Sequence, residues 1–571
     1  MDIPSSREEM NKLGINQLDV IIVTGDSFVD HPSFGAAIIA RVLKEISGLS
    51  VGVISQPDWK SEKDITRLGK PKYFFGVTSG NIDSMVANYT ASKRKRKTDD
   101  YSPDKLFRPR PDRATIVYSN LIKNYYKDVP IVLGGIEASL RRLAHYDWWQ
   151  DKVKNSILLD SKADYIVYGM GEKTIIEIAE VFKSGKSHDE IKKLRGIVYK
   201  TSKPEEINEK YIEIPSKEET EKDPLKYNEA FKYFYDNNDA LNSEILVQKH
   251  QNRYVVQNLP QFPLSTEEMD RVYNLGYTRK VHPYEEQKGY VKSLDTVKFS
   301  VTSHRGCYGQ CSFCALTVHQ GRTVQYRSIP SVIKEIEEIK KDPSFNGFIS
   351  DIGGPTANMY GYECEKKKKY GACKDKSCIG YEKCEALKPD HSNYMELLEK
   401  VSETEGVKKV FISSGIRLDL IYADDKNGKK FLRKIVEKHI SGRMKIAPEH
   451  SEDEVLEIMN KPKFSLTEKW IEDYKKINSQ QNKNQYFSAY LIAAHPGSTI
   501  QSEKNLKKRL EKSFDFVPEQ VQIFTPTPST RSTTIYYTGI DPITGKKVFT
   551  EKDEKKRKEH KEIIIKNKFK K

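Results

Sequence analysis

Apolar residues in this chain gather in short unbroken runs, separated by longer stretches where they recur every three to four positions. The first pattern suits a strand buried on both faces, and the second suits a helix packed over it. Residues 19–24 (DVIIVT) form such a run, 34–46 carry the helical recurrence, and Gly48 follows as a stop signal. Further strands are expected at 51–55, 73–77, 115–118, 131–133 and 165–168, with helices at 83–88 and 173–183. Strands alternating with helices predict an α/β domain over 1–195, a doubly wound parallel sheet of Rossmann type.

Residues 196–290 alternate less clearly and are charged, with an apolar island at 254–264 (YVVQNLPQFPL). They read as a connector. A second regular series runs over 291–545, with strands expected at 297–302, 347–352, 409–413, 443–447, 486–493 and 520–525. Helices are expected between them near 332–341, 394–404, 431–440, 467–477 and 503–512. Six strands with intervening helices suit a partial (β/α)6 barrel, although a doubly wound sheet has the same period. In barrels, chemistry gathers at the C-terminal ends of strands. An insertion at 360–390 follows the second strand, and 546–571 reads as a charged tail.

Length and composition bound these readings. At 571 residues, two or three domains are expected. Charged residues make up 31% of the chain, yet 10% aromatics argue against global disorder. The net charge of +15 favours anionic partners such as nucleic acid, with solvated lysine-rich faces as the alternative. The most concentrated basic stretch is Lys93–Lys97 (KRKRK) with Arg108, Arg110 and Arg113. No apolar run reaches the roughly 18–20 residues needed to span a bilayer, and the N-terminus has no signal-peptide pattern. A cytoplasmic protein without membrane association is expected. All seven cysteines lie between 307 and 384. Clustered thiols in a large chain point to metal rather than to disulfides.

Cys307, Cys311 and Cys314 form C-x3-C-x2-C directly after the first strand of the second series. Three thiolates on one loop can hold three irons of a cubane and leave the fourth open. A zinc site completed by His304 or His319 is the competing reading. The motif resembles that of the radical S-adenosylmethionine superfamily. That resemblance implies a [4Fe–4S] cluster and S-adenosylmethionine as cofactors, with a 5′-deoxyadenosyl radical formed by one-electron cleavage. It also implies an electron donor such as flavodoxin or ferredoxin, and it places Phe313 near the adenine.

Other strand ends carry supporting residues. Gly353 and Gly354 allow close approach to the backbone. They match a superfamily turn that binds the methionyl amino group, with Pro355 in place of its acid. Ser414 and Arg417 suit the ribose and carboxylate of the cofactor, and a structural salt bridge is the alternative for Arg417. Glu449 and His450 are candidates either for substrate contact or for capping the next helix. Cys364, Cys373, Cys378 and Cys384 form C-x8-C-x4-C-x5-C in the lysine-rich insertion and are candidates for a second metal or cluster, or for free thiols.

Longer stretches narrow the resemblance. The segments at 19–59, 132–146 and 353–360 (GGPTANMY) are similar to the YgiQ family of radical S-adenosylmethionine proteins, whose substrates are unsettled. The N-terminal sheet resembles the cobalamin-binding domain of some radical S-adenosylmethionine enzymes. The adjacent Asp30 and His31 do not fit the D-x-H-x-x-G pattern, so cobalamin is not expected. The expected function is a radical enzyme modifying RNA or protein. The alternatives are a radical enzyme acting on a small metabolite, and a non-catalytic iron–sulfur or zinc protein that binds nucleic acid.

Overall fold

The computed structural model describes residues 2–104, 110–207, 209–514 and 521–565. The chain divides into two units. One is Met1–Leu264 with Glu268–Lys298, and the other is Phe299–Lys571 with Ser265–Glu267. Among the described residues no helix is long and apolar enough to cross a membrane.

The first unit is built on a nine-stranded sheet. Val51–Ser55, Val20–Thr24, Phe74–Thr78, Ile131–Leu133 and Tyr165–Val167 lie side by side in that order, all parallel. Numbered along the chain this is the doubly wound order 2-1-3-4-5, whose crevice lies where the order reverses. Val20–Thr24 and Val51–Ser55 are buried at every position, which explains their unbroken apolar runs. The stretch 115–118, expected as a strand, belongs instead to the helix Ala114–Tyr125. Its β-branched residues continue into Leu121 and Ile122, and the buried positions follow helical spacing. Packing at that period outweighs local strand preference.

Residues 196–290, read as a connector, supply the other four strands. Ile197–Thr201 and Arg253–Gln257 add antiparallel, Ile245–His250 pairs antiparallel with the latter, and Tyr211–Ile214 closes the edge. The edge strand Tyr211–Ile214 is buried at one position only, and Ile197–Thr201 loses its burial over its last two residues, so both lack the unbroken runs that mark the centre of the sheet.

The expected basic patch divides. Arg94, Lys95, Arg96 and Lys97 are exposed, while Phe107, Arg108 and Pro109 lie outside the described residues. Arg110 is fully buried and pairs with Asp26 at 2.8 Å and Asp99 at 2.7 Å, and its Nη1 donates to the Ser79 carbonyl. Arg113 pairs with Asp147 at 2.7 Å. Both arginines knit the C-terminal edge of the sheet and are not a phosphate-tracking surface.

The second unit has parallel strands that follow chain order. Ser300–Thr302 pairs with Asp351–Gly353, and Phe348–Ile349 pairs with Lys409–Val410. Arg443–Glu449, Tyr486–Ala493 and Val521–Ile523 form a second parallel group. Residue 520, expected to start that last strand, lies outside the described residues. The helices Ile329–Ile339, Ser392–Glu403, Gly428–Lys438, Phe464–Gln480 and Ile500–Ser513 alternate with the strands, as the periodicity predicts. Their apolar faces build one core around Trp470, Tyr474, Phe431 and Leu398. The charged tail includes a packed helix, Glu554–Ile565, whose His560 Nδ1 lies 3.0 Å from the buried Glu503.

Replacing Arg110 by Met strands two carboxylates in the interior and should lower stability by about 3–5 kcal/mol. Chemical denaturation monitored by circular dichroism checks this. An unchanged midpoint would return Arg110 to the surface patch.

Candidate active site

The motif loop leaves the first barrel strand through His304–Arg305, which pairs antiparallel with Gln325–Tyr326. This pairing fixes both ends of the loop. Gly306 turns the chain at φ 86°, and a Cβ there would meet the Thr323 carbonyl, so only glycine fits. Cys307 and Cys311 then converge around Gly309, where a Cβ would lie 3.2 Å from the first Sγ and 3.6 Å from the second. Cys314 is within electrostatic reach of both.

Burial, with the neighbouring Cys311, pushes the Cys307 thiol up, and the same causes push Cys314 up to about 12. Crowded thiolates repel, and a bound cationic centre removes that cost while displacing the protons. Among the described residues no three His, Cys, Asp or Glu side chains converge on a single ion. His304, a candidate zinc ligand, has both ring nitrogens engaged, by Ser303 Oγ at 2.9 Å and the Thr356 carbonyl at 2.8 Å. Burial lowers its pKa to about 4, so the ring is neutral.

Arg417 reaches this loop from the end of the third strand. Its Nη1 donates to Cys311 Sγ at 3.3 Å, while Nε and Nη2 donate to the Asp419 carboxylate at 2.9 and 2.6 Å. The guanidinium is therefore shared between a salt bridge and the thiol set. Asn358 holds the Arg417 backbone from both sides, accepting from its N–H and donating to its carbonyl, each at 2.9 Å. Behind Asn358 stands His391, at 3.2 Å, and behind that Asp424, at 2.8 Å from Nδ1. Burial, the largest influence, raises the Asp424 carboxyl. Hydrogen bonds with His391 and from the Asn427 backbone outweigh it and hold the carboxyl at about 2. Sequence reasoning missed this line of residues. Asn358 sits within the GGPTANMY string, but His391 and Asp424 carry no local motif.

The other expected positions divide. The space beside Gly353 is taken by Ser414, whose Oγ donates to Asp351, and the Gly353 carbonyl accepts from Ser303 at 2.7 Å. A Cβ on Gly354 would strike His304. These glycines thus let three strand ends pack together. Phe313 meets His495 edge-on at 6.0 Å, and His495 meets Phe524 at 5.0 Å, which seats the cluster loop on the last two strands. Glu449 is buried at the end of its strand with φ 69°, unusual for a residue with a side chain, and lies within electrostatic reach of Arg417 and Lys461. Burial raises its carboxyl. The following helix, Asp453–Met459, is preceded by Glu452, so Glu449 is not its cap. His450 Nδ1 accepts from the Glu452 N–H at 3.1 Å, at the start of that helix, and its Nε2 lies 3.4 Å from Glu503 in the core.

Residues 3–300 match the family described as Radical SAM N-terminal, and 301–510 match the Radical SAM superfamily. A UPF0313 protein of Thermotoga neapolitana is 50% identical over 566 residues, covering 99% of this chain and 98% of that one. One from Clostridium botulinum is 50% identical over 563 residues, covering 98% and 86%. The chain belongs to the UPF0313 family. This is the YgiQ-type family expected from the sequence, and the UPF0313 chain is a radical S-adenosylmethionine enzyme of unspecified reaction.

TsrM from Kitasatospora setae, a radical S-adenosylmethionine methyltransferase solved with cobalamin and a [4Fe–4S] cluster, shares the fold. The TM-score is 0.51 at 15% identity, covering 90% of this chain and 76% of that one. That finding overturns the expectation against cobalamin. The adjacency of Asp30 and His31 removes only an imidazole ligand, whereas holding a cofactor requires a crevice. His31 is buried, and its Nδ1 accepts from the Ser33 N–H at 3.0 Å. Asp30 pairs with Arg41 at 2.6 Å.

Asp424→Asn should destabilise the UPF0313 enzyme at neutral pH. A carboxylate held at about 2 stabilises the fold above its unfolded value of 3.8 and loses that contribution as the pH falls through 2. Thermal melts of both proteins should converge toward low pH. A difference independent of pH would remove the charged role of Asp424.

Proposed function

We propose that this UPF0313 enzyme binds a [4Fe–4S] cluster at Cys307, Cys311 and Cys314, reductively cleaves S-adenosylmethionine there, and modifies RNA. The observation that carries this reading is the gathering of Cys307 and Cys311 around Gly309, with Cys314 within electrostatic reach of both and the Arg417 guanidinium donating to Cys311. When bound, the cluster supplies the electron that breaks a carbon–sulfur bond of the sulfonium, and a donor of the flavodoxin or ferredoxin class replenishes it. Arg417 offsets thiolate charge on one side, and Asp419 keeps the guanidinium in place on the other. Thr356 contributes a hydroxyl within hydrogen-bonding reach of Cys307. Glu449, its carboxyl pushed up by burial, stands within electrostatic reach of Cys314. The RNA reading is supported by the net charge of +15 and by the exposed run from Arg94 to Lys97.

With dithionite, the anaerobically reconstituted protein should form 5′-deoxyadenosine, and Cys311→Ala should bring the yield to background. No product from the reconstituted wild-type protein would end this reading. Nucleoside profiles of RNA from cells with and without the gene should differ by at least one modification. Identical profiles would replace RNA with a small metabolite or a protein.

Cobalamin in the first unit is a second reading, favoured by one observation. The Tyr118 and Thr115 hydroxyls and Nε and Nη2 of Arg141 are buried without a hydrogen-bond partner among the described residues. Tyr118 lies within electrostatic reach of Asp26 and Arg110, beside the point where strand order reverses. Hydroxocobalamin should remain with the protein through gel filtration, at roughly one per chain. Loss of all colour on the column would count against it.

A further inference from the structure

We propose that Cys364, Cys373, Cys378 and Cys384 hold a second iron–sulfur cluster, built into the insertion that packs on the first cluster loop. Its ligands are independent of the first site. Only its neighbourhood rests on reading Cys307, Cys311 and Cys314 as an iron–sulfur centre.

The insertion is anchored at defined points. The Tyr362 hydroxyl donates to the Asn358 carbonyl at 2.8 Å. Tyr308, between Cys307 and Gly309, is fully buried and donates its hydroxyl to the Tyr362 carbonyl. Lys367 is buried, lies over the Tyr308 ring at 4.4 Å, pairs with Glu363 at 2.7 Å and donates to the Arg322 carbonyl at 2.7 Å. Asn460 Nδ2 donates to the Gln310 carbonyl at 3.1 Å and to Ser377 Oγ at 3.0 Å, which joins the first cluster loop to the insertion.

Within this frame the Cys378 thiol lies within electrostatic reach of Cys364 and Cys384. Cys364 begins the helix Glu365–Tyr370 and shares one apolar cluster with Cys378, and Cys307 packs on the same cluster. The Cys384 N–H donates to the Cys378 carbonyl at 3.1 Å. The Cys373 carbonyl accepts from Arg322 Nη1 at 3.4 Å, the residue whose own carbonyl takes Lys367.

Two features separate this set from ordinary buried cysteines. The first is the poverty of the local core. Between 363 and 390 the buried apolar side chains are Cys364, Ala372, Ile379 and Leu387. So small a core does not hold a chain segment of that length, and small segments of this kind are stapled by disulfides or metal. The thiols are free here. The second is charge. Residues 360–390 carry eight lysines against six carboxylates, a surplus of cations that a set of thiolates would offset.

A single zinc requires its ligands to converge on one point. Zinc ribbons supply those ligands from C-x2-C pairs, and no such pair lies within the insertion.

The test compares iron, zinc and acid-labile sulfide per chain after anaerobic reconstitution. The proteins are the wild type, Cys307→Ala/Cys311→Ala/Cys314→Ala and Cys364→Ala/Cys378→Ala. Each variant should keep about half of the wild-type iron and sulfide, since each removes one of two clusters. Circular dichroism on all three shows whether folding is retained. Should the second variant fail to fold, the first alone still decides, because its remaining iron can only sit in the insertion. A folded triple variant without iron and sulfide, or one holding zinc alone, overturns the proposal. Iron lost from Cys364→Ala/Cys378→Ala but retained in full by the triple variant would overturn the first site and leave this one standing.

Discussion

A guanidinium buried against thiols is stable only when a carboxylate matches it on the opposite edge. Arg417 is held in that way, with Asp419 on two of its nitrogens and Cys311 on the third. Its position is then fixed through its backbone by Asn358, which follows the second strand. Asn358 is in turn backed by His391 and Asp424, which flank the third helix-and-strand pair. One buried charge therefore sets the relation between the cluster loop and the ends of the second and third strands. It also fixes the point from which the cysteine-rich insertion departs, since Tyr362 binds the Asn358 carbonyl.

How legible this was depended on the range of the signal. The barrel strands and helices announce themselves by period, because each buries a whole face and burial dictates residue type along it. The three cysteines were legible because thiolate chemistry tolerates few substitutes at fixed spacing. Gly353 and Gly354 were recognised as close-approach positions, yet what approaches is Ser414 and His304. A missing side chain says that something is near and is silent on what it is. His391 and Asp424 were invisible since polar residues that meet across 33 positions leave no pattern in either neighbourhood.

The first unit shows the same limit from the other side. Its five parallel strands read clearly, whereas its other four strands passed for a connector, because polar and charged residues such as Lys200, Glu213, Lys249 and Arg253 interrupt them. Arg110 and Arg113 looked like surface cations, but they face Asp26, Asp99 and Asp147. Charge counted along a sequence does not distinguish a solvated lysine run from arginines that cross-link an interior. Here Arg94–Lys97 are the first kind and Arg110 is the second.

The clamp on the cluster loop has a bearing on biosynthesis. Cys311 meets Arg417, which lies 106 residues further along the chain, and Gln310 meets Asn460 at a separation of 150. During translation the cysteines leave the ribosome long before the residues that hold their loop have been made. The loop cannot take its native hold in that interval, because the groups that fix it do not yet exist. The order of the polypeptide thus makes closure of this loop a late event in synthesis, whatever the order in which the rest of the chain folds.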